Sequence, residues 1–340
     1  MNKLCVFGIL IPLIGSASSA QTGAGKKVWV VTASNATTNQ LLVYDFGGTL
    51  IQTVSTGGQG GVSGNAGGIE AQGSLIAAVN FGSLNVSTFE LGSQGFRMKQ
   101  LVPTISNPVS VAFGASHLYI LGTTQVESHR MEGSNVDPIP DGEVGLIEAD
   151  GSAAQVGVVG NQLIITEKSN MIETVDLSPG GAPIGIARPV RNIPANVNTP
   201  FGLVTRGGNA YVTIAHANEI SLVRNDAILT VVNSGTQNAP CWLTLVGPFL
   251  YSSNSPSMSV SKYAVFGQRI VQVTAVAATL NGDPTDIASG EGLVAVIDGN
   301  DGISHLSIFS VNTDGDLTLL QAADTISGAA NGVAIVGGGD

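Results

Sequence analysis

The feature that most constrains this chain is a short apolar pattern that returns seven times at a nearly constant interval. Its copies are Gly67-Gly68-Ile69-Glu70-Ala71, Asn107-Pro108-Val109-Ser110-Val111-Ala112, Ala153-Ala154-Gln155-Val156-Gly157, Thr199-Pro200-Phe201-Gly202-Leu203, Ala239-Pro240-Cys241-Trp242-Leu243, Asp283-Pro284-Thr285-Asp286-Ile287-Ala288 and Ala329-Ala330-Asn331-Gly332-Val333-Ala334. With positions 67, 108, 153, 200, 240, 284 and 330 taken as equivalent, the spacings are 41, 45, 47, 40, 44 and 46 residues. That is the length of one four-stranded β-propeller blade, and each copy opens a short apolar strand.

The last copy has no strands after it, whereas Lys27-Val28-Trp29-Val30-Val31-Thr32 near the other end is a strand without an inner partner. Pairing the two removes the most exposed edges of an open array. The expected fold is therefore all-β: one seven-bladed propeller over 21–340, closed by the C-terminal strand joining the N-terminal blade.

Residues 1–20 read as a cleavable export signal, with Lys3 before an apolar run from Leu4 to Ile14 and Ser18-Ser19-Ala20 ahead of the cut. A run that short does not span a bilayer. The expected mature protein is secreted, and loss of Lys3 takes its net charge from −11 to −12. Such a surface repels nucleic acid and anionic membranes, so neither is an expected partner. Only Cys241 remains after cleavage, which excludes an intrachain disulfide and reads as a small buried hydrophobe. A monomer is expected.

Between the strands, Thr56 to Asn65 is glycine-rich but lacks the third glycine of a dinucleotide fingerprint, and it reads as a flexible loop. The stretch from Glu132 to Glu143, with Pro138 and Pro140, reads as an acidic surface excursion. Asn35-Ala36-Thr37 is a loop sequon suited to a glycan, and Asn85-Val86-Ser87 is a weaker one at a strand start. Asp298-Gly299-Asn300-Asp301-Gly302 alternates oxygen ligands but lacks the closing bidentate acid of a calcium loop, so a hairpin turn is expected. The four histidines have no zinc spacing, and neither a metal nor a cofactor is expected. No nucleophilic triad is legible in the order of the residues.

In a propeller, the loops that lead into the inner strands and the hairpins after the second strands emerge on one face. The second strands here end in Ser34, Asn80, Thr123, Glu167 with Lys168, His216, Asn254 and Asp298, and the inner strands begin with Ser110, Gln155, Trp242, Asp286 and Asn331. Wet hairpins alone make strand ends polar. Taken as a ring, the same residues suggest a ligand face: Glu167, His216 and Asp286 as acid–base groups, and Asn80, Gln155, Lys168, Trp242, Asn254, Asp298 and Asn331 as ligand-binding residues, with Trp242 as a stacking platform.

Several stretches carry a resemblance to the lactonase-type propellers, the family of 6-phosphogluconolactonase and 3-carboxy-cis,cis-muconate lactonising enzyme. They are Val28 to Ala33 with Leu42-Val43-Tyr44-Asp45, Asn107 to Val111, Ile165-Thr166-Glu167-Lys168-Ser169-Asn170, Ala239 to Trp242 with Tyr251-Ser252-Ser253-Asn254, Asp283 to Ala288 and Ala330 to Ala334. The resemblance implies hydrolysis or ring closure of a small cyclic or acidic molecule. Anionic substrates need a cationic pocket, and the expected face offers only Lys168, Arg191 and a protonated His216 against three carboxylates. The expectation is thus a secreted lactonase-like enzyme for a weakly charged cyclic compound. The alternative is a non-catalytic propeller that holds a glycan, small molecule or protein on its rim.

Overall fold

A computed structural model describes residues 27–193, 199–325 and 327–338. The proposed signal segment, residues 1–20, and part of the connector after Arg191 lie outside them. Seven small antiparallel sheets form a ring, six of them running from an inner strand outward in chain order and the first taking its inner strand from the C-terminal end. The inner strands contact one another around a common axis, and the last of them touches both its predecessor and the strand beginning at Ile69.

The ring closes as the repeat demands. Asn331–Gly337 is the inner strand of the first blade and pairs antiparallel with Val28–Ala33, from Val28 opposite Gly337 to Ala33 opposite Asn331. Thr32 adds a buried hydrogen bond from its hydroxyl to the Gly332 carbonyl at 2.6 Å. Each second strand is covered on both faces by neighbouring blades, so Leu75–Asn80 and His117–Gly122 are buried at every residue. Outermost strands face solvent on one side, and Leu50–Ser55 alternates in burial accordingly.

Inner strands begin with a kink. The ladder slips one residue between Pro108 and Ser110, Ala153 and Gln155, Pro240 and Trp242, and Pro284 and Asp286. A bulge of this kind re-aims the extra side chain, and proline suits the first strand residue because it has no N–H to leave unpaired.

Two loop expectations need correcting. The acidic stretch 132–143 forms much of the outer edge of the third blade, where Asn135–Val136 and Gly142–Gly145 both pair with Gln125–Glu132. Pro138 and Pro140 cannot donate to a ladder, so the outer strand breaks into two pieces instead of leaving the sheet. The glycine-rich connector 56–65 is likewise ordered: Val62, Asn65 and Ala66 are buried, and the chain dips into the mouth of the central channel. By contrast, the Asp298–Gly302 stretch is the expected hairpin, turning between Leu293–Asn300 and Ile303–Val311.

Candidate functional site: a central channel closed at one end

The connector is held at the mouth of the channel by residues from around the ring. The Asn65 amide donates to the Val109 carbonyl at 2.7 Å, and its side-chain oxygen accepts from Asn331 at 3.0 Å. Trp242 Nε1 donates to the Asn65 carbonyl at 3.0 Å, while its indole meets Phe201 edge-on at 5.2 Å. Ala66 N–H donates to Ala154 O, and the Lys168 ammonium reaches Gly64 O at 2.6 Å. From the first blade, the Asn35 amide donates to Val62 O and its oxygen accepts from the Gly61 and Val62 N–H groups. The sequon asparagine is thus engaged with the connector. Gly60 lies so close to the Asn35 backbone that an added Cβ would sit 2.3 Å from its carbonyl carbon, which explains glycine there.

Asp286 is the anchor beneath this stopper. Its carboxylate accepts the N–H of Ile287 at 2.8 Å and also takes hydrogen bonds from the backbone of Gly67 and Val333. Burial nevertheless raises its pKa to about 7, the three donors opposing the shift. Gln155 accepts from Leu203 N–H at 2.6 Å, and Ser110 donates to Gly67 O at 3.2 Å.

The polar ends of the second strands make contacts within and between blades. Asn80 donates to Asn85 and Ser87, accepts from Asn39, and sits over Ser87, whose hydroxyl donates to the Thr56 carbonyl of the incoming connector. Asn254 repeats the arrangement, donating to Ser259 and Ser261, with Ser259 bonded to Gln237. Asp298 pairs with His305 Nδ1 at 2.8 Å; burial raises its pKa against the pull of that histidine. Glu167 is fully buried, and burial followed by the nearby Glu173 carboxylate pushes it up to about 8. Glu173 rises to about 7 for the same first reason. His216 is exposed, its Nδ1 3.0 Å from the Thr199 hydroxyl.

Below the stopper, the channel is a cavity of about 340 Å³ lined by all seven inner strands. Its side chains include Gln155, Asp286, Glu70, Thr205, Thr244 and Ser289. Asn65, Ala66 and Trp242 at the stoppered end are buried, whereas Ala71, Phe113, Val158, Thr205, Leu245, Ser289 and Ile335 at the far ends of the strands are partly exposed. The channel therefore opens on the face opposite the polar rim. Of the three proposed acid–base residues, only Asp286 lines it; Glu167 lies beside Glu173 and His216 on the rim.

Glu70 is the residue the motif reading passed over. Its Oε2 accepts the Phe113 N–H at 2.9 Å, and burial in the channel wall raises its pKa to about 7. A signal was present: the strand registers place Ala112, Gly157, Val204, Thr244, Ala288 and Ala334 at its position in the other blades. One carboxylate against six small or neutral residues marks the odd blade. The lining holds two carboxyl groups and no lysine, arginine or histidine.

This arrangement defines a seven-bladed β-propeller fold. No family profile and no curated protein matches the chain in sequence, but solved structures match it in shape. A Lactobacillus plantarum protein superposes with a TM-score of 0.68 at 15% identity, over 92% of this chain and 100% of that one. The periplasmic gluconolactonase PpgL of Pseudomonas aeruginosa matches with 0.66 at 14% identity, over 92% and 99%. A candidate 6-phosphogluconolactonase from Bacteroides fragilis gives 0.66 at 12%, over 94% and 100%. At such identities the likeness is one of fold.

Proposed function

We propose that the protein takes a small, uncharged cyclic molecule into the open end of its channel and hydrolyses it as a lactonase-like enzyme. One observation carries this reading: a cavity of about 340 Å³, stoppered at one end, whose wall bears a carboxyl group with a pKa near 7. A group poised there exchanges protons readily at neutral pH. Glu70 takes a proton from water as the water attacks the lactone carbonyl, and returns it to the ring oxygen as the C–O bond breaks. Asp286 serves as the fixed roof above. Two carboxyl groups and no cation in the lining disfavour phosphorylated or carboxylated substrates.

A second reading, binding without turnover, draws support from Asp286, whose lone pairs are already engaged by backbone N–H groups. A panel of neutral γ- and δ-lactones, followed by pH-stat and by calorimetry, separates the two. Hydrolysis that falls at least about 100-fold in Glu70→Gln supports catalysis. Binding without turnover supports the second reading, and neither binding nor turnover removes both. We also propose that the chain is exported, on the strength of residues 1–20; secreted protein beginning at Gln21 is the expected result of N-terminal sequencing.

A further inference from the structure

A second group of chemically matched side chains lies on the third blade, away from the channel. His117 is completely buried at the start of its strand, and its Nε2 lies 2.8 Å from Asp141 Oδ2. Its Nδ1 lies 2.9 Å from the hydroxyl of Ser116, an exposed residue in the preceding turn. In a continuous strand, neighbouring residues point to opposite faces. Here the turn, closed by Gly114 N–H to His117 O, lets the Ser116 side chain fold back onto the ring of its neighbour.

The imidazole is fixed from several sides. Tyr119 stacks on it at 5.9 Å and 21°, and the Tyr119 hydroxyl donates to Gly181 O at 2.7 Å. Gly181, at φ +102, brings its backbone so close that a Cβ would lie 2.5 Å from Nδ1. Asp141 is fixed too: its N–H donates to Ser128 O, and its Oδ1 accepts the Ser128 hydroxyl at 2.6 Å. Burial opposes its ionisation, but the hydrogen bonds from Ser128 and His117 and the charges of His117 and Arg130 prevail and hold its carboxyl below the usual range. An ionised carboxylate only accepts, so His117 Nε2 carries the proton in this pair, and when the ring is neutral Nδ1 is the nitrogen that accepts from Ser116.

We propose that Ser116, His117 and Asp141 form a serine-nucleophile relay at the edge of the third blade, able to accept an acyl group from a short carboxylic ester. The order of hydrogen bonds is that of a hydroxyl–imidazole–carboxylate triad, with the two ring nitrogens exchanged. Ser116 Oγ bonds to the ester carbonyl carbon as its proton passes to Nδ1. The alcohol leaves with that proton as the C–O bond breaks, and water releases the acid by the same route in reverse. Ser116 and His117 do the chemistry, and Asp141 is a positioning residue.

The test is labelling of the full chain with a fluorophosphonate, which traps serine as a phosphonyl ester with loss of fluoride, and mapping of the adduct by peptide mass spectrometry. An adduct at Ser116, absent in Ser116→Ala and slowed at least about tenfold in Asp141→Asn with recovery in Asp141→Glu, is the expected result. His117→Gln should remove it, and if that variant fails to fold, Asp141→Asn carries the test because its melting is checked alongside. No adduct at Ser116, or an unchanged labelling rate in a natively melting Asp141→Asn, overturns the proposal.

Discussion

The two ends of the central channel use the same seven inner strands and differ in nearly everything else. At the stoppered end, bulged strand starts and Gly68, where an added Cβ would lie 3.1 Å from the Asn65 amide nitrogen, let a connector from the first blade sink to the axis, where Asn65, Trp242, Asp286 and Asn331 hold it. At the open end the strands run regularly and their last residues are partly exposed. Polar residues at a propeller mouth are therefore not evidence of a ligand until the connectors have been placed. Here many of them already have protein partners, and of the two carboxyl groups in the channel lining Glu70 is the partly exposed one while Asp286 is buried.

Removing the largest contact at the stoppered end should break this contrast most severely. Trp242→Ala deletes the indole beneath Asn65 and its edge contact with Phe201, and about 3–5 kcal/mol of unfolding free energy should be lost in a urea titration. Asn65→Ala leaves the Val109 carbonyl and the Asn331 amide without their partner. About 2–3 kcal/mol should go, with hydrogen exchange rising first at residues 62–68. If exchange there already matches that of exposed loops in the unaltered protein, the stopper is not one.

The pH dependence sharpens the comparison. Glu70, Asp286 and Glu173 all titrate near 7 in the folded chain, against 3.8 to 4.5 for unperturbed groups. Glu167 follows at about 8. In this window the folded state keeps protons that the unfolded state has released, so stability is highest in acid, falls as pH rises from about 4.5 to 8, and stays low above that. Melting temperature should decline over that range. Glu70→Gln should remove part of the slope and stabilise the protein at pH 8 by roughly 1–2 kcal/mol, the full shift being discounted for water in the channel. At pH 4 the substitution should be nearly neutral. The smallest effect belongs to Lys168→Ala, where loss of the contact to Gly64 O should cost about 1 kcal/mol or less and show mainly as faster exchange at 62–68.

Much of this architecture was legible because propeller blades repeat. The spacing of the seven copies predicted seven sheets, and the unpaired strand at Val28 predicted its partner at Asn331. Strand ends were equally readable, since Asn80, Asn254 and Asp298 all stand last or nearly last in apolar runs. Their duty was not readable: whether a polar strand end meets water or a connector depends on the path of a loop with no periodicity. The glycines of 57–64 suggested freedom, although at Gly60 the residue is required by close approach to Asn35. Glu70 could have been found by aligning the copies position by position, because with 67, 108, 153, 200, 240, 284 and 330 as equivalents a carboxylate stands where the others have Val, Leu or Ile.

The sequence by itself determined the number of blades, the closure of the ring and the acidic charge, because each follows from local periodicity or from a simple sum over residues. Tertiary structure alone decided which end of the channel is open and which carboxyl groups lie in it. It also brought Ser116, His117 and Asp141 into one line. Those outcomes depend on contacts between residues tens to hundreds of positions apart, such as Asn65 with Asn331, and the energy of burying a polar group is set by the partner it finds there.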